Sequence, residues 1–342
     1  MWASVNRGKR SVVLDLQQAE GVDLLRRMAA TADVFIQNFR PGVAGRLGID
    51  EPALRAVNPG LVYVSVSGFG DSGPYVDQKS YDYVIQALSG MAGLQADPKT
   101  GVPALIRNIV VDKTTAGYVT QSVLAALLAR ANGAGGQHVQ VSMIDVALAF
   151  LWPDGMMQHA LLDTDRVTPG AHMADGYMVR PTADGHLALV ATSDRQFPGI
   201  ATVLGHPEWI DDARFATVRD REMNAGELDA LIGAEVARWT GSELVRQLQD
   251  HDIPCALINP VATAHLDQQV VHNGIVVEHE RPHVGRVREV LPPARFSATP
   301  ATLGRHAPRL DEHTDEVLCG LGLDDAAIDD LRARGIIGAR KR

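Results

Sequence analysis

Two hydrophobic rhythms alternate along the first 150 residues. Short apolar or β-branched runs at 11–16 (SVVLDL), 33–37 (DVFIQ), 61–67 (LVYVSVS) and 137–142 (QHVQVS) predict strands. Between them, 20–32 places Val22, Leu24, Leu25 and Met28 at helical spacing. Residues 81–94 read as a second helix, and 115–132, rich in Ala and Leu and ending at Gly133, as a third. Strands separated by helices predict βαβ units, and with them an α/β fold built on an open, Rossmann-like parallel sheet covered on both faces. Residues 143–162 continue as a helix that Pro153 should bend or restart.

The rhythm then changes. Residues 163–170 are polar and read as linker. Tyr177, Met178 and Val179 with 186–191 predict a hairpin across Ala183-Asp184-Gly185, where Asp-Gly is a turn signal. Helical patterns follow at 196–204, 227–239 and 242–251; 274–290 alternates as antiparallel strand; 313–337 holds two short helices. The expected organisation is a large domain over 1–150, a linker over 151–170, a smaller α+β domain over 171–268, and a linker with a C-terminal return to the large domain over 269–342.

Composition narrows the function classes. The 342 residues suffice for a substantial core, and 46% hydrophobic with 21% charged residues is an ordinary globular mix. A net charge of −9 argues against a nucleic-acid binder, which would present a basic face. It leaves room for one anionic small molecule in a locally basic pocket. Cys255 and Cys319 form neither a disulfide framework nor a CxxC pair. The opening residues have no signal-peptide core, and the apolar runs at 139–152 and 123–128 are too short or interrupted to span a bilayer, so a cytoplasmic protein with no membrane partner is expected.

Familiar catalytic signatures are absent or misplaced. Neither GxxxxGK[ST] nor GxSxG occurs. Residues 68–73 spell GxGxxG after a strand, but Pro74 and a polar run follow where a dinucleotide site needs a helix. His279 and His283 match HExxH, yet Pro282 lies between them in a strand-like segment, and His265 and His272 fit no metal template; no metal is expected. The loop 38–42 follows a buried strand, where open α/β sheets bind ligands, and either offers Arg40 and backbone N–H groups to an anion or is an ordinary turn. The loop 67–75, with three glycines and a proline, suits either close ligand approach or mere connection. Asp112 follows the largely apolar run 106–111 and precedes a long helix. It reads as an N-cap or as a desolvated nucleophile.

Several motifs in fixed order resemble the CaiB/BaiF, or class III, CoA-transferases: 6–11 (NRGKRS), 38–42 (NFRPG), 67–70 (SGFG), Gly73-Pro74, Val111-Asp112 before a long helix, 136–139 (GQHV) leading to Ser142 and Asp145, 194–197 (DRQF) and 312–318 (EHTDEVL). The resemblance spans essentially the whole chain. It implies a Rossmann-like large domain with a smaller domain, in a homodimer whose two subunits interlock. It implies an acyl-CoA and a carboxylic acid as partners, no cofactor beyond coenzyme A, and Asp112 as the nucleophile that forms a mixed anhydride and then an aspartyl-CoA thioester. Asn38, Phe39, Arg40 and Arg46 look like CoA contacts, with Leu14 against the adenine, Lys79 at a phosphate and Tyr81 beside the substrate; Gln17 stands where relatives often carry Lys.

Two departures qualify the match. Relatives carry several tens of residues before the motif at 6–11, so a strand-helix-strand unit is expected to be missing and the sheet to show an open edge. The glycine-rich loop of oxalate-specific members has no counterpart beyond Ala174-Asp175-Gly176. Two alternatives stand beside the transferase. One is an α-methylacyl-CoA racemase, which would use paired acid/base groups and for which Asp194 is the second carboxylate, although Tyr81-Asp82 replaces its His-Asp pair. The other is an inactive, truncated CoA-binding subunit.

Overall fold

The computed structural model describes residues 2–97, 100–166, 178–189, 193–282 and 284–338. Two compact units form, Met1–Leu151 with Gly274–Arg342, and Trp152–Asn273. Through residue 151 the elements are α1 (Trp2–Val5), α2 (Ala19–Ala29), β1 (Val34–Gln37), α3 (Val43–Arg46), α4 (Glu51–Val57), β2 (Val62–Ser67), α5 (Asp82–Leu88), α6 (Met91–Leu94), α7 (Val110–Ala129), β3 (His138–Ser142) and α8 (Met143–Leu151). The second unit carries β4 (Met178–Pro181), β5 (His186–Leu189), α9 (Phe197–Val203), α10 (Val218–Met223), α11 (Ala225–Val236), α12 (Gly241–Asp250), β6 (Cys255–Leu257) and α13 (Gln268–Asn273). The chain then rejoins the first unit with β7 (Val276–Arg281), β8 (Gly285–Val290), α14 (Thr314–Gly320) and α15 (Asp325–Ala333).

Strands β1, β2 and β3 pair in parallel in that order, with Val34 opposite Val62 and Ser67 opposite Ser142. Side chains alternate across a strand, so β2 feeds two cores. Tyr63 packs with Leu54, Ile49, Ala29 and Leu61 on the α2/α4 side, while Val62 and Val64 meet Val119 and Ala126 of α7 on the other. Burial on both faces explains why the first half of β2, Val62 to Val64, is apolar at every position. The Tyr63 hydroxyl donates to the Ile49 carbonyl at 3.0 Å, and burial, with the Asp50 charge second, pushes the phenol up to about 12.

Four predicted elements change. Residues 11–16 form no strand, only a single antiparallel bridge between Leu14 and Ile337. Their backbone groups are taken instead by the C-terminal segment: Asp15 N–H donates to the Ile336 carbonyl at 2.8 Å, Val13 N–H to Thr314 Oγ1 at 3.0 Å, and His313 N–H to the Ser11 carbonyl at 3.0 Å. The helix predicted over 81–94 is broken at Gly90, whose φ of 88° ends one turn and starts another. The helix predicted over 115–132 starts five residues earlier, at Val110, and so takes in the end of the apolar run 106–111 and Asp112 itself. The helix predicted over 143–162 stops at Leu151, just ahead of Pro153, which cannot donate the backbone hydrogen bond; irregular turns follow.

In the second unit β4, β5 and β6 make an antiparallel sheet against α9, α11 and α12, around Leu187, Ile200, Phe215, Ile232, Leu244 and Leu248. Tyr177, the end of the predicted strand at 190–191, the linker residues 167–170 and the loop at Ala174-Asp175-Gly176 lie outside the described residues. β7 and β8 form an antiparallel hairpin in which His279, Glu280 and Arg281 of the HExxH letters are strand, while His283 lies outside the described residues; His279 Nε2 meets Glu289 there at 2.7 Å. No described helix is long and apolar enough to cross a membrane.

Candidate active site

Because the three strands are parallel, their carboxyl ends share one edge, and the loops that leave it converge. After β1, Gln37 Oε1 accepts the Phe39 N–H at 2.8 Å while its Nε2 donates to Ser65 Oγ at 3.0 Å, which fixes the start of the 38–42 loop. Gly42, at φ 78°, turns that loop into α3. After β2, Gly68 is where another segment closes in: a Cβ there would fall 2.1 Å from Ser80 Oγ and 2.3 Å from Ser80 Cβ. The Gly68 carbonyl also accepts the Ile144 N–H of α8 at 3.1 Å.

The loops enclose a cavity of about 380 Å³ whose wall includes Asn38, Phe39, Arg40, Gly68, Lys79, Tyr81, Asp82, Asp112 and Met143. A second cavity of about 470 Å³ shares Phe39, Arg40, Ser67 and Gly70 and continues along Gln37, Tyr63, Ser65 and His138. Both volumes fall in the range of small-molecule sites, about 300–1,000 Å³. The side chains of Arg40 and Lys79 form no hydrogen bond or ion pair among the described residues, so two uncommitted cations face the first cavity. Tyr81 is largely exposed, with its ring parallel to Tyr83 at 6.0 Å.

Asp112 is the third residue of α7, and the N-cap position belongs to Ile109, which supplies no side-chain bond. The N-cap reading of Asp112 is therefore corrected: the orphan N–H groups are satisfied by a residue thirty positions earlier. Asp82 Oδ2 accepts the Val111 N–H at 2.7 Å and the Asp112 N–H at 3.0 Å. Its Oδ1 accepts Gln86 Nε2 at 2.6 Å, and Gln86 Oε1 in turn accepts the Ile106 N–H at 2.9 Å. Asp82 and Gln86 are 7% and 1% exposed, so this bridge from α5 to the start of α7 is interior structure. No described residue hydrogen-bonds the Asp112 carboxylate. Asp112 keeps accessible surface, yet the atoms around its carboxyl strip part of its hydration; that desolvation, with the Asp82 charge second, holds its pKa above the usual 3.8.

A bare carboxylate with raised basicity, in a cavity carrying two free cations, suits attack on an electrophilic carbon of an anionic ligand. Of the residues singled out in the sequence, Asn38, Phe39, Arg40, Lys79, Tyr81 and Asp112 meet in one cavity. Arg46 is exposed on α3, next to Gly42 at the rim of the second cavity. Leu14 sits elsewhere, against the cluster of Leu24, Leu318 and Ile337. Asp194 lies in the second unit, where its carboxylate pairs with the buried guanidinium of Arg221 at 2.7 Å. Sequence reasoning passed over Gln86 and Ser80, and weighed Asp82 only as half of a replaced pair. The available signal was two polar residues four apart, hence on one face, in a helix that has to bury something.

The model of CoA-transferase family III matches residues 1–314. The chain is 35% identical over 320 residues to the succinate–glutarate CoA-transferase of Agrobacterium fabrum, a match covering 93% of this chain and 80% of that protein. It is 30% identical over 344 residues to the succinyl-CoA–D-citramalate CoA-transferase of Chloroflexus aurantiacus, covering 98% and 84%. The crystal structure of a CAIB/BAIF family protein from Brucella suis superposes with a TM-score of 0.80 at 31% identity, covering 94% of this chain and 83% of that one.

Proposed function

The chain belongs to CoA-transferase family III, and from that membership we propose that it moves coenzyme A between an acyl-CoA and a carboxylic acid through covalent intermediates on Asp112. The observation that carries the reading is the Asp112 carboxylate itself, free of hydrogen bonds among the described residues and raised in basicity, in a cavity whose wall also holds Arg40 and Lys79. In this scheme an Asp112 oxygen attacks the thioester carbonyl, the C–S bond breaks, and the electron pair leaves on the CoA sulfur. The thiolate then attacks the Asp112 carbonyl of the mixed anhydride, which releases the donor acid and leaves an aspartyl-CoA thioester. The acceptor carboxylate attacks that thioester, and the thiolate returns to the acceptor's carbonyl, regenerating Asp112. Charge and atoms balance at every step without a net proton transfer. Covalent catalysis here splits one difficult acyl transfer into easier steps.

Arg40, Lys79 and Arg46 are assigned to the CoA phosphates, for which arginine and lysine are the fitting partners. Asn38 and Phe39 are assigned to the pantetheine arm, Tyr81 to the acyl group and Leu14 to the adenine. Short dicarboxylic acids are the proposed donors and acceptors, supported by what the two similar transferases are named for. An interlocked homodimer is the proposed assembly. The test is intact-protein mass spectrometry after incubation with a panel of acyl-CoAs, with hydroxylamine as trap. A hydroxamate on the peptide carrying Asp112, absent from Asp112→Ala, is the expected result. A folded protein that gives no adduct with any donor sinks the proposal. Deuterium exchange at the α-carbon would then indicate the racemase chemistry, and no exchange an inactive CoA-binding subunit.

A further inference from the structure

We propose that Asp82 is a positioning residue for the transfer: its buried carboxylate fixes the start of α7 and, by occupying the helix's first N–H groups, leaves the Asp112 carboxylate bare beside a like charge. The inference rests on Asp112 being the nucleophile. A carboxylate in the first turn of a helix is ordinarily stabilised by unpaired N–H groups and the positive helix end. Such stabilisation would blunt a nucleophile. Here the N–H groups of Val111 and Asp112 are spent on Asp82 Oδ2. Asp82 has no basic partner among the described residues; three hydrogen bonds, the third from Gln86, hold its charge. The Asp82 charge lies close enough to add to the desolvation that raises the Asp112 carboxyl.

The other groups around Asp112 do not substitute for this one. Lys79, Tyr81 and Arg40 reach the cavity from loops, and Met143 is what α8 presents there, its Asp145 lining the neighbouring cavity. Lys113, on α7 itself, is turned to Asn108 Oδ1. From β2 come the uncharged Val66 and Ser67. Asp82 is thus the acidic neighbour in this cavity, and Gln86 ties it to the 106–108 segment so that α5 and the head of α7 move as one piece. Asp82 forms no covalent bond and takes no proton; it sets where Asp112 points and how basic it is.

The test is the pH dependence of the first acylation of Asp112, followed by quenched-flow mass spectrometry in wild type, Asp82→Asn and Gln86→Met. The Asn variant keeps an acceptor oxygen for the helix N–H groups and removes the charge. Its acid limb is expected to move to lower pH, with a slower plateau rate. Gln86→Met, which keeps the charge and loses the tether, is expected to lower the melting temperature without moving the limb downward. An Asp82→Asn limb at or above the wild-type position overturns the proposal even where the rate falls, because Asp82 would then be a helix cap and nothing more. A wild-type enzyme that acquires no acyl group overturns this inference together with the nucleophile assignment, so the two failures are told apart.

Discussion

Replacing Gly68 by alanine probes the site without touching any group assigned to the chemistry. Gly68 is outside the left-handed region, so an alanine brings no backbone strain of its own. What it brings is a methyl group 2.1 Å from Ser80 Oγ, and restoring a tolerable 3.0 Å moves Ser80 by about 0.9 Å. Ser80 sits between Lys79 and Tyr81, both in the wall of the cavity with Asp112. A displacement of about 1 Å in a positioned group costs on the order of 100-fold in rate. Overpacking costs about 1–3 kcal/mol of stability, which at about 2–4 °C per kcal/mol for a unit of this size leaves a folded protein. Gly68→Ala is therefore expected to lower kcat/KM for acyl transfer by about 100-fold while melting only several degrees earlier. Adding Ser80→Gly removes both clashing atoms and leaves Ser80 Cα at 3.7 Å, an ordinary contact. The double variant should recover most of the activity, although Ser80→Gly alone gains nothing. Steady-state kinetics and thermal melts on the four proteins decide the matter. A double variant as slow as Gly68→Ala would refute the steric argument, and an unimpaired Gly68→Ala would show that the loop is not held by this contact.

Three further outcomes follow from the same geometry. Asp112 has a folded-state pKa above its ordinary 3.8, so the fold favours its protonated form, and stability is lost as pH rises above that value. Asp112→Asn should accordingly melt higher than wild type at pH 7 while being inactive, with the gain vanishing below pH 3.8; an equal or lower melting point at pH 7 contradicts the desolvation. Tyr63, neutral and buried, contributes stability that is lost between its unfolded value of 10.0 and about 12, up to about 2–3 kcal/mol. Tyr63→Phe should lose about 1 kcal/mol at pH 8 with its hydrogen bond, yet show a flatter alkaline decline in urea unfolding. Arg40→Ala and Lys79→Ala should each raise KM for acyl-CoA by about tenfold or more with a smaller effect on kcat, since a charge-assisted hydrogen bond is worth about 1.5–3 kcal/mol; unchanged KM values in both would remove them from the phosphate site.

The parallel sheet was legible because β2 is buried on both faces, so that Val62, Tyr63 and Val64 all had to be apolar. Asn38, Arg40 and Asp112 line one cavity, but read singly each kept an ordinary account, a turn or an N-cap, and it was the resemblance to the CaiB/BaiF family that grouped them. The segment 11–16 misled because its β-branched run is satisfied by residues about 300 positions away, at Thr314 and Ile336, and no local pattern encodes such a partner. The start of α7 was hidden for the same reason. Val110 and Val111 carry strand propensity, and what lets them begin a helix is an acceptor supplied by Asp82. The bridge from Asp82 through Gln86 to Ile106 exists only once α5 and α7 are packed together.

That bridge also explains how a site without a phosphate-binding motif can take an anionic ligand. The glycines of the GxGxxG lookalike serve loop geometry: Gly68 admits Ser80, and Gly70 and Gly73 adopt φ of 97° and 95°. The next helix in sequence, α5, does not start until Asp82, so the loop does not lead straight into a helix as a dinucleotide fold requires, and the head of α8 that meets it spends the Ile144 N–H on the Gly68 carbonyl. The nearby helix head, on α7, is already occupied by Asp82, and with Asp112 the region carries two carboxylates. Phosphates would be repelled from it. Binding energy for an anionic ligand then has to come from Arg40 and Lys79 at the cavity wall. In the proposed reaction this separation is useful: the charged nucleotide end is drawn to the cations, and the uncharged thioester is the part of acyl-CoA that can approach the acidic end of the cavity. The same two carboxylates would repel a free acceptor acid, which argues that the acceptor enters the cavity only once Asp112 has lost its charge by acylation.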